Sequence, residues 1–283
     1  MKRPTLIVLL CLAFLFLYQE DSSLDEAKKQ RVISLTPATT EILFSLGLDE
    51  EIVGVTTFCN FPSKALSKER VGTFSQPDIE KIIHLKPDII FATGLEQVPV
   101  VAKLRQLRLK VYVSDPSNIK ELFTSIKEIG ELTRREKEAL DLIEQMNVAI
   151  EQVKNKVDLV GRDGRPKVFI EIWHDPLMSA GRGSFVDELI SLAGGVNIAH
   201  NLPRAYSYFS PEQVIKLNPD CIILGYMGKE KAQNIIKNRL GWSSVKAVKN
   251  DRIYNDINPD LFLRPGPRLV KGLQEIHKKL YPK

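Results

Sequence analysis

The chain has 283 residues, of which 43% are apolar and 27% charged, with a net charge of +5. That is the make-up of an ordinary globular protein, long enough for one large core or two modest ones. The charge is mild and spread along the chain, and no Lys/Arg block alternates with aromatics, which argues against a nucleic-acid partner.

Lys2 and Arg3 precede an apolar run from Leu6 to Leu17, and polar Gln19 to Ser23 follow. A basic start with a run of this length reads as a secretory leader, residues 1–23, because a spanning helix wants roughly 20 apolar residues. No clean small-x-small cleavage site follows, so the segment is either removed or kept as an anchor. Cys11 lies within the run behind Leu10, a poor context for lipid attachment. Beyond the leader only Cys59 and Cys221 remain, one in each half, and a bridge between them is not expected.

Arg31–Leu35 reads as a strand, and Thr36-Pro37-Ala38-Thr39-Thr40-Glu41 opens a helix to about Leu46, capped by Thr36 or Thr39 and stopped by Gly47. Ile52–Thr56, Asp88–Ala92 and Lys110–Val113 are further strands, and a helix over Ile79–Leu85 ends before Pro87. Strands alternating with helices predict a parallel sheet with helices on its faces. Ligands then sit beyond the carboxyl ends of the strands, which places the loops 34–37, 57–62, 93–96 and 114–117 at the mouth of a site.

Ala139, Ile143, Met146, Ile150, Val153 and Val157 recur at spacings of four and three. This apolar stripe predicts one helix from about Thr133 to Val160, within a bridging segment 129–161. A coiled-coil seam is the other reading. A strut laid across two lobes is preferred, because the seam is short and contains Ala and Met. Gly161 to Pro166 ends it. The chain restarts with a strand at Lys167–Ile172, a helix near Phe185–Leu192, a strand at Cys221–Leu224, another at Arg252–Tyr254, and a terminal helix from about Arg268.

The second half repeats the first. Glu80 to Ile90 aligns without gaps on Glu212 to Ile222, with Glu, Ile, Leu, Pro, Asp and Ile in register. Phe74-Ser75-Gln76-Pro77 is echoed by Phe209-Ser210-Pro211, and Ile42–Gly47 by Glu188–Ala193. The period is too long for a solenoid, so it implies two similar α/β lobes, 31–128 and 166–283, with a cleft between them.

Walker, Gly-x-Ser-x-Gly and His-Glu-x-x-His signatures are absent, and no catalytic residue is assigned. The Gly-rich turn Ser179–Phe185 offers free N–H groups to an anion or amide, or is a tight turn capped by Ser184. Four scattered histidines make no metal cluster. His84 and His277 read as surface residues, while His174 follows a strand toward the cleft and is a candidate metal ligand. Large side chains crowd the cleft loops: Phe58, Phe61, Phe74, Trp173, Met178, Tyr206, Tyr208, Phe209, Leu261 and Phe262. Rings in surface loops suggest an apolar clamp for a flat, large ligand, whereas Phe91 and Phe169, within strands, read as core.

Arg31 to Glu41 resembles the opening of periplasmic cobalamin-binding proteins, and Leu85-Lys86-Pro87-Asp88 is shared with the wider family of metal-chelate receptors for ABC importers. Trp173 to Met178, through Gly194-Gly195-Val196-Asn197-Ile198, resembles the matching second-lobe segment. The resemblance covers nearly everything after residue 30. It implies two Rossmann-like α/β lobes joined by a long helix (the class III periplasmic-binding-protein architecture), a cobalamin or related corrinoid as transported ligand, and no resident cofactor. Ligand positions carried over are Pro37, Ala38, Phe58, Phe74, Met178, Tyr206, Asp260 and Phe262, and Trp173 joins them from the reading of the cleft loops. Phe74 stands where tryptophan is expected, Phe58 where tyrosine is, and Met178 where phenylalanine is. Glu80 and Glu212 would meet arginines on a permease dimer that works with its ATPase subunits. The implied location is the periplasm or the outer face of the cytoplasmic membrane. A ferric siderophore or haem receptor is the alternative, with Arg182, Arg204, Arg264 and Arg268 meeting an anionic chelate. An exported enzyme acting on a sugar nucleotide is a third reading.

Overall fold

Short runs of valine, isoleucine and phenylalanine build two central sheets, because β-branched and aromatic side chains suit a pleated surface covered on both faces. The computed structural model describes residues 29–161, 164–226 and 229–282, so the leader read from residues 1–23 lies outside the described residues. The first half comprises β1 (Val32–Ser34), α1 (Pro37–Ser45), β2 (Ile52–Val55), α2 (Ile79–His84), β3 (Ile89–Ala92), α3 (Val98–Gln106), β4 (Val111–Val113) and α4 (Ile119–Thr133). Next comes α5 (Glu136–Asp158), then β5 (Lys167–Glu171), β6 (Trp173–His174), β7 (Leu177–Ala180), α6 (Phe185–Leu192), β8 (Val196–Asn197), β9 (Tyr206–Tyr208) and α7 (Pro211–Leu217). The chain closes with β10 (Cys221–Leu224), α8 (Lys229–Lys237), α9 (Lys246–Lys249), β11 (Ile253–Tyr254), α10 (Asp260–Leu263) and α11 (Leu269–Leu280).

The two large sheets are parallel, ordered β2-β1-β3-β4 and β11-β10-β5-β8. With β5, β8, β10 and β11 set in place of β1, β2, β3 and β4, the two orders are the same. The repeated phrase has a structural cause. In each copy the helix ends on a left-handed residue, Lys86 at φ 47° and Asn218 at φ 49°, and proline then forbids continuation. The following aspartate clamps the first strand of its own sheet. Asp88 Oδ2 accepts from the Arg31 N–H at 2.7 Å, and Asp220 Oδ2 from the Lys167 N–H at 2.8 Å.

Alternate strand residues enter different cores, as period-two geometry requires. Ile33, Ile90 and Ala92 pack on the outer face of the first sheet. Phe169, Ile222 and Leu224 do so on the outer face of the second. Val32, Ile89 and Phe91 join Val168, Ile170 and Cys221 in one continuous cluster with residues of α1, α4, α5, α6 and α11. The length allows one large core or two modest ones, and the inner faces share one core through these helices.

The apolar stripe on α5 is buried at Ala139, Met146, Ile150, Val153 and Val157. The helix is 23 residues, roughly 35 Å at 1.5 Å per residue. It packs on α4 from the first half and on α6 and α11 from the second. The stripe is therefore spent inside the molecule, as a strut requires. The bridging segment differs from expectation in starting with a helical hairpin. Arg134 turns left-handed at φ 58° between α4 and α5. Gly130 lets the arms close, since a Cβ there would lie 2.6 Å from the Ala139 Cβ.

The second half also carries an unanticipated antiparallel sheet, β6-β7-β9. Cys59 and Cys221 are free and buried, and burial pushes the Cys221 thiol up to about 12. His84 is exposed as expected. His277 is not a simple surface residue: its Nδ1 meets the Ala193 carbonyl at 3.0 Å and its ring lies 5.1 Å from that of Tyr281.

Replacing Asp220 with alanine should lower unfolding stability by roughly 1 kcal/mol, because the strand-opening N–H loses its acceptor. Asp220→Asn keeps an oxygen there and should cost less than half of that. Urea unfolding followed by circular dichroism distinguishes the pair, and equal losses would contradict the clamp.

Candidate functional site

The loops at the carboxyl ends of β1, β2, β3 and β4 converge on one cavity of about 830 Å³. Thr36, Pro37, Phe58, Thr93, Leu95, Glu96 and the run Ser114–Ser117 line it from those loops, joined by Phe74. Gly183, Ser184, Phe185, Ala205, Tyr206, Leu263, Arg264 and Pro265 form the facing wall from the second half. This is where parallel sheets present ligands, beyond the strand ends.

The wall is held by buried polar groups. Thr36 caps α1 by accepting from the Thr39 N–H at 3.1 Å. Thr40 donates to Ser34 Oγ at 2.8 Å. Together they fix Pro37 and Ala38 at the helix start. Gln97, fully buried, ties three lining segments: its Nε2 donates to the carbonyls of Leu35 at 2.9 Å and Phe74 at 2.8 Å, and its Oε1 accepts from the Thr93 N–H at 3.1 Å. Asp115 accepts from Thr93 Oγ1 and, at 2.7 Å, from the Gly94 N–H.

At the joint between the halves lies Glu41, 2% exposed on α1. Arg268, at the start of α11, grips it with two nitrogens, at 2.7 and 2.5 Å. Arg264 Nη1 lies 3.5 Å from the same carboxylate, while its Nη2 pairs with Asp260 at 3.0 Å. Arg264 also donates to Asn60 Oδ1 at 2.7 Å, and the Arg268 guanidinium covers the Phe61 ring at 3.9 Å. A second tie runs from α6: Glu188 Oε2 accepts from the Ile119 N–H, at the start of α4, at 2.9 Å. Desolvation raises the Glu188 carboxyl above its ordinary value.

Of the nine ligand positions read from sequence, Pro37, Ala38, Phe58, Phe74 and Tyr206 line this cavity. Phe58 is 57% exposed, an open ring at the mouth. Desolvation raises the Tyr206 phenol, although 40% of the residue surface stays open. The other four lie elsewhere. Phe262 is fully buried because it sits in a short helix inside the shared core, not in a loop. Asp260 is taken up by Arg264. Trp173 and Met178 face each other across β6 and β7, and Met178 faces Tyr208 across β7 and β9. Directly opposed residues share a sheet face. They form an aromatic row outside the lining, with Trp173 48% and Tyr208 68% exposed. Phe209 and Leu261 also leave the clamp: both are buried, and Phe209 stacks on Phe169 at 5.3 Å.

The Gly-rich turn is mainly structural. The N–H groups of Gly181, Arg182 and Ser184 bond to the carbonyls of Ala205, His200 and Gly181. Ser184 caps α6 by accepting from the Asp187 N–H at 3.2 Å. An anion finds few donors there. His174 stacks between Trp173 and Tyr226 at 5.3 and 5.4 Å and is not part of the lining. Among the described residues no group of three or more His, Cys, Asp or Glu side chains is placed to hold a metal ion. Behind that stack Glu171 is fully buried, held by Arg239 at 2.8 and 3.0 Å and by the Tyr226 hydroxyl at 3.0 Å. Sequence reading missed Glu41, Gln97 and Asp115 alike, since each acts through partners distant in sequence or backbone groups.

The family described as periplasmic binding protein matches residues 32–258. The chain belongs to that family. An uncharacterized ABC transporter substrate-binding lipoprotein of Bacillus subtilis is 33% identical over 258 residues, 89% of this chain and 80% of that one. A vitamin B12-binding protein of Vibrio cholerae is 28% identical over 281 residues, covering 96% of each. The structure of a possible iron-binding, periplasmic solute-binding protein from Staphylococcus epidermidis superposes with a TM-score of 0.79 at 31% identity, over 90% of this chain and 99% of that one. As a member of the periplasmic binding protein family the chain has the class III fold, two parallel sheets flanked by helices. Among the described residues no helix is long and apolar enough to cross a membrane.

Removing the Glu41 carboxylate should be costly, because it strands two arginines that are 17% exposed. Glu41→Ala should lose about 3 kcal/mol in urea unfolding. A loss below about 1 kcal/mol would show that the joint does not depend on this ion pair.

Proposed function

We propose that the protein is the substrate-binding component of an ABC importer, taking up cobalamin or a related corrinoid and releasing it unchanged to the permease. In this reading residues 31–128 and 166–283 act as the two lobes, 129–161 bridges them, and 1–23 is the export leader or anchor. The observation that carries it is the cavity itself. It lies between the strand-end loops of the first sheet and three second-half segments, bears Phe58, Phe74, Phe185 and Tyr206 on its walls, and among the described residues has Arg264 as the one basic side chain in its lining. Flat apolar rings with few charged groups suit a large macrocycle whose edge is fringed with amides.

The alternative chelates bear several negative charges, and four arginines were available on paper to meet them. Arg264 and Arg268 are committed to Glu41 and Asp260. Arg182 turns to His200 at 3.3 Å and to Asn201 at 3.3 Å. Arg182 and Arg204 are both exposed, and among the described residues Arg204 alone of the four has no side-chain partner. A ferric-chelate receptor is the second reading, favoured by the likeness to the possible iron-binding protein and by Tyr206 as an oxygen ligand on the wall.

Glu80 and Glu212 are the proposed permease contacts. Each is exposed in the first turn of its helix, α2 or α7, one residue after the helix begins. Equivalent carboxylates on a duplicated chain suit a two-fold partner. The Ser210 hydroxyl donates to Glu212 and holds its carboxyl below the usual range, so it stays charged when it docks.

Titration with cyanocobalamin, followed by corrinoid absorbance and calorimetry, should give saturable one-to-one binding at micromolar protein. Phe58→Ala with Phe74→Ala should weaken it roughly tenfold or more, as expected for losing two ring contacts. No saturable binding, alongside tight binding of haemin or a ferric siderophore, would move the assignment to the second reading. Glu80→Ala with Glu212→Ala should leave affinity unchanged and abolish corrinoid uptake in cells carrying the permease. Normal uptake would remove both residues from the docking site.

A further inference from the structure

The charges around the cavity do not balance, and the imbalance is negative. Its one lining cation among the described residues, Arg264, is neutralised within the joint, where two arginines meet the two carboxylates of Glu41 and Asp260. The helix starts at the wall, which ordinarily draw anions, are answered in part from within. In α1 the first residue is Pro37, which has no N–H, and Thr36 takes the Thr39 N–H. In α4 the Ile119 N–H goes to Glu188, and the Ser117 N–H and hydroxyl both go to Glu121 at 2.8 Å. In α6 Ser184 supplies the cap, and Asp187 and Glu188 occupy the first turn.

Two lining carboxylates have no such partner. Glu96 and Asp115 both line the cavity from first-half loops. Neither forms an ion pair among the described residues. Asp115 is held in place by the Thr93 hydroxyl and the Gly94 N–H, so its charge is fixed in position, not waving in solvent. Between low-dielectric apolar walls such charges act further into a cleft than they would on an open surface. Arg182 and Arg204 are exposed but lie outside the lining.

We propose that Glu96 and Asp115 are specificity-determining residues: they make this cavity prefer corrinoids whose side chains are all amides over corrinoids that carry free carboxylates. The proposal rests on the corrinoid reading and adds the sign of charge that the site accepts. Carboxylate-bearing biosynthetic precursors of the same ring are thereby disfavoured, without any change in ring contacts.

The test compares dicyanocobinamide, with amide side chains only, against dicyanocobyric acid, the same ring with one free carboxylate. Dissociation constants are measured by absorbance at low salt and near 1 M NaCl, where the screening length falls to about 3 Å. Wild type should prefer dicyanocobinamide roughly fivefold at low salt, and the preference should fade at high salt. Glu96→Gln with Asp115→Asn should bring the low-salt ratio close to one, and Glu96→Gln alone should move it part of the way. The single variant serves if the double one melts early, because Glu96 is an exposed loop residue. Equal affinities in wild type, or a ratio that the folded variants leave unmoved, would overturn the charge assignment while the corrinoid reading stands. Failure of both rings to bind would remove the corrinoid reading and this inference together.

Discussion

A carboxylate sealed inside a protein is expensive unless it is met by matched donors, and Glu41 is such a carboxylate at the joint between two sheets. It projects from the helix that follows the first strand, and its partners, Arg264 and Arg268, come from the end of the second half. The bidentate geometry fixes direction as well as distance. Because Arg264 also lines the cavity, the same ion pair that joins the halves sets one part of the binding wall. Glu188 of α6, accepting from the N–H at the start of α4, supplies a second tie, and the apolar core runs unbroken through both inner sheet faces. A cavity framed in this way is preformed. It does not need a ligand to bring its walls together.

Duplication explains the symmetry, and its later loss explains the site. Both halves keep the strand order and the aspartate clamp on the first strand. They differ where the site needs them to. The first half offers four loops with short polar side chains, braced by Gln97. The second inserts a small antiparallel sheet, and its last strand brings Tyr206 to the wall. Rings come from both halves, Phe58 and Phe74 from the first and Phe185 and Tyr206 from the second, and most of the short polar side chains come from the first.

Much of this was legible in the amino-acid order. Strands declared themselves as short β-branched runs, the strut as a stripe at spacings of four and three, and the site as the loops beyond the strands. Each of those four loops does line the cavity. Helix α4 carries its own signal, since Ile119, Leu122, Ile126, Ile129 and Thr133 are buried at spacings of three and four, yet no element is assigned there from the sequence alone. Other features carry no local signal. Nothing near Glu41 announces an arginine 227 residues away. Phe209 and Phe262 look like loop rings because Pro and Asn flank them, and only tertiary packing turns them inward. Glu96 and Asp115 are ordinary loop acids until Arg264, the one lining cation among the described residues, is seen to be engaged.

The central claim is a slot whose walls are already in place before cargo arrives. Spin labels at Lys103→Cys and Lys249→Cys, one on each half, measure it directly by electron–electron double resonance in protein carrying Cys11→Ser. The native Cys59 and Cys221 are buried and do not compete for label. A preformed slot gives a single narrow distance distribution that moves by less than about 2 Å on saturation with cyanocobalamin. A broad or bimodal distribution in free protein, collapsing to a much shorter distance with ligand, would contradict it.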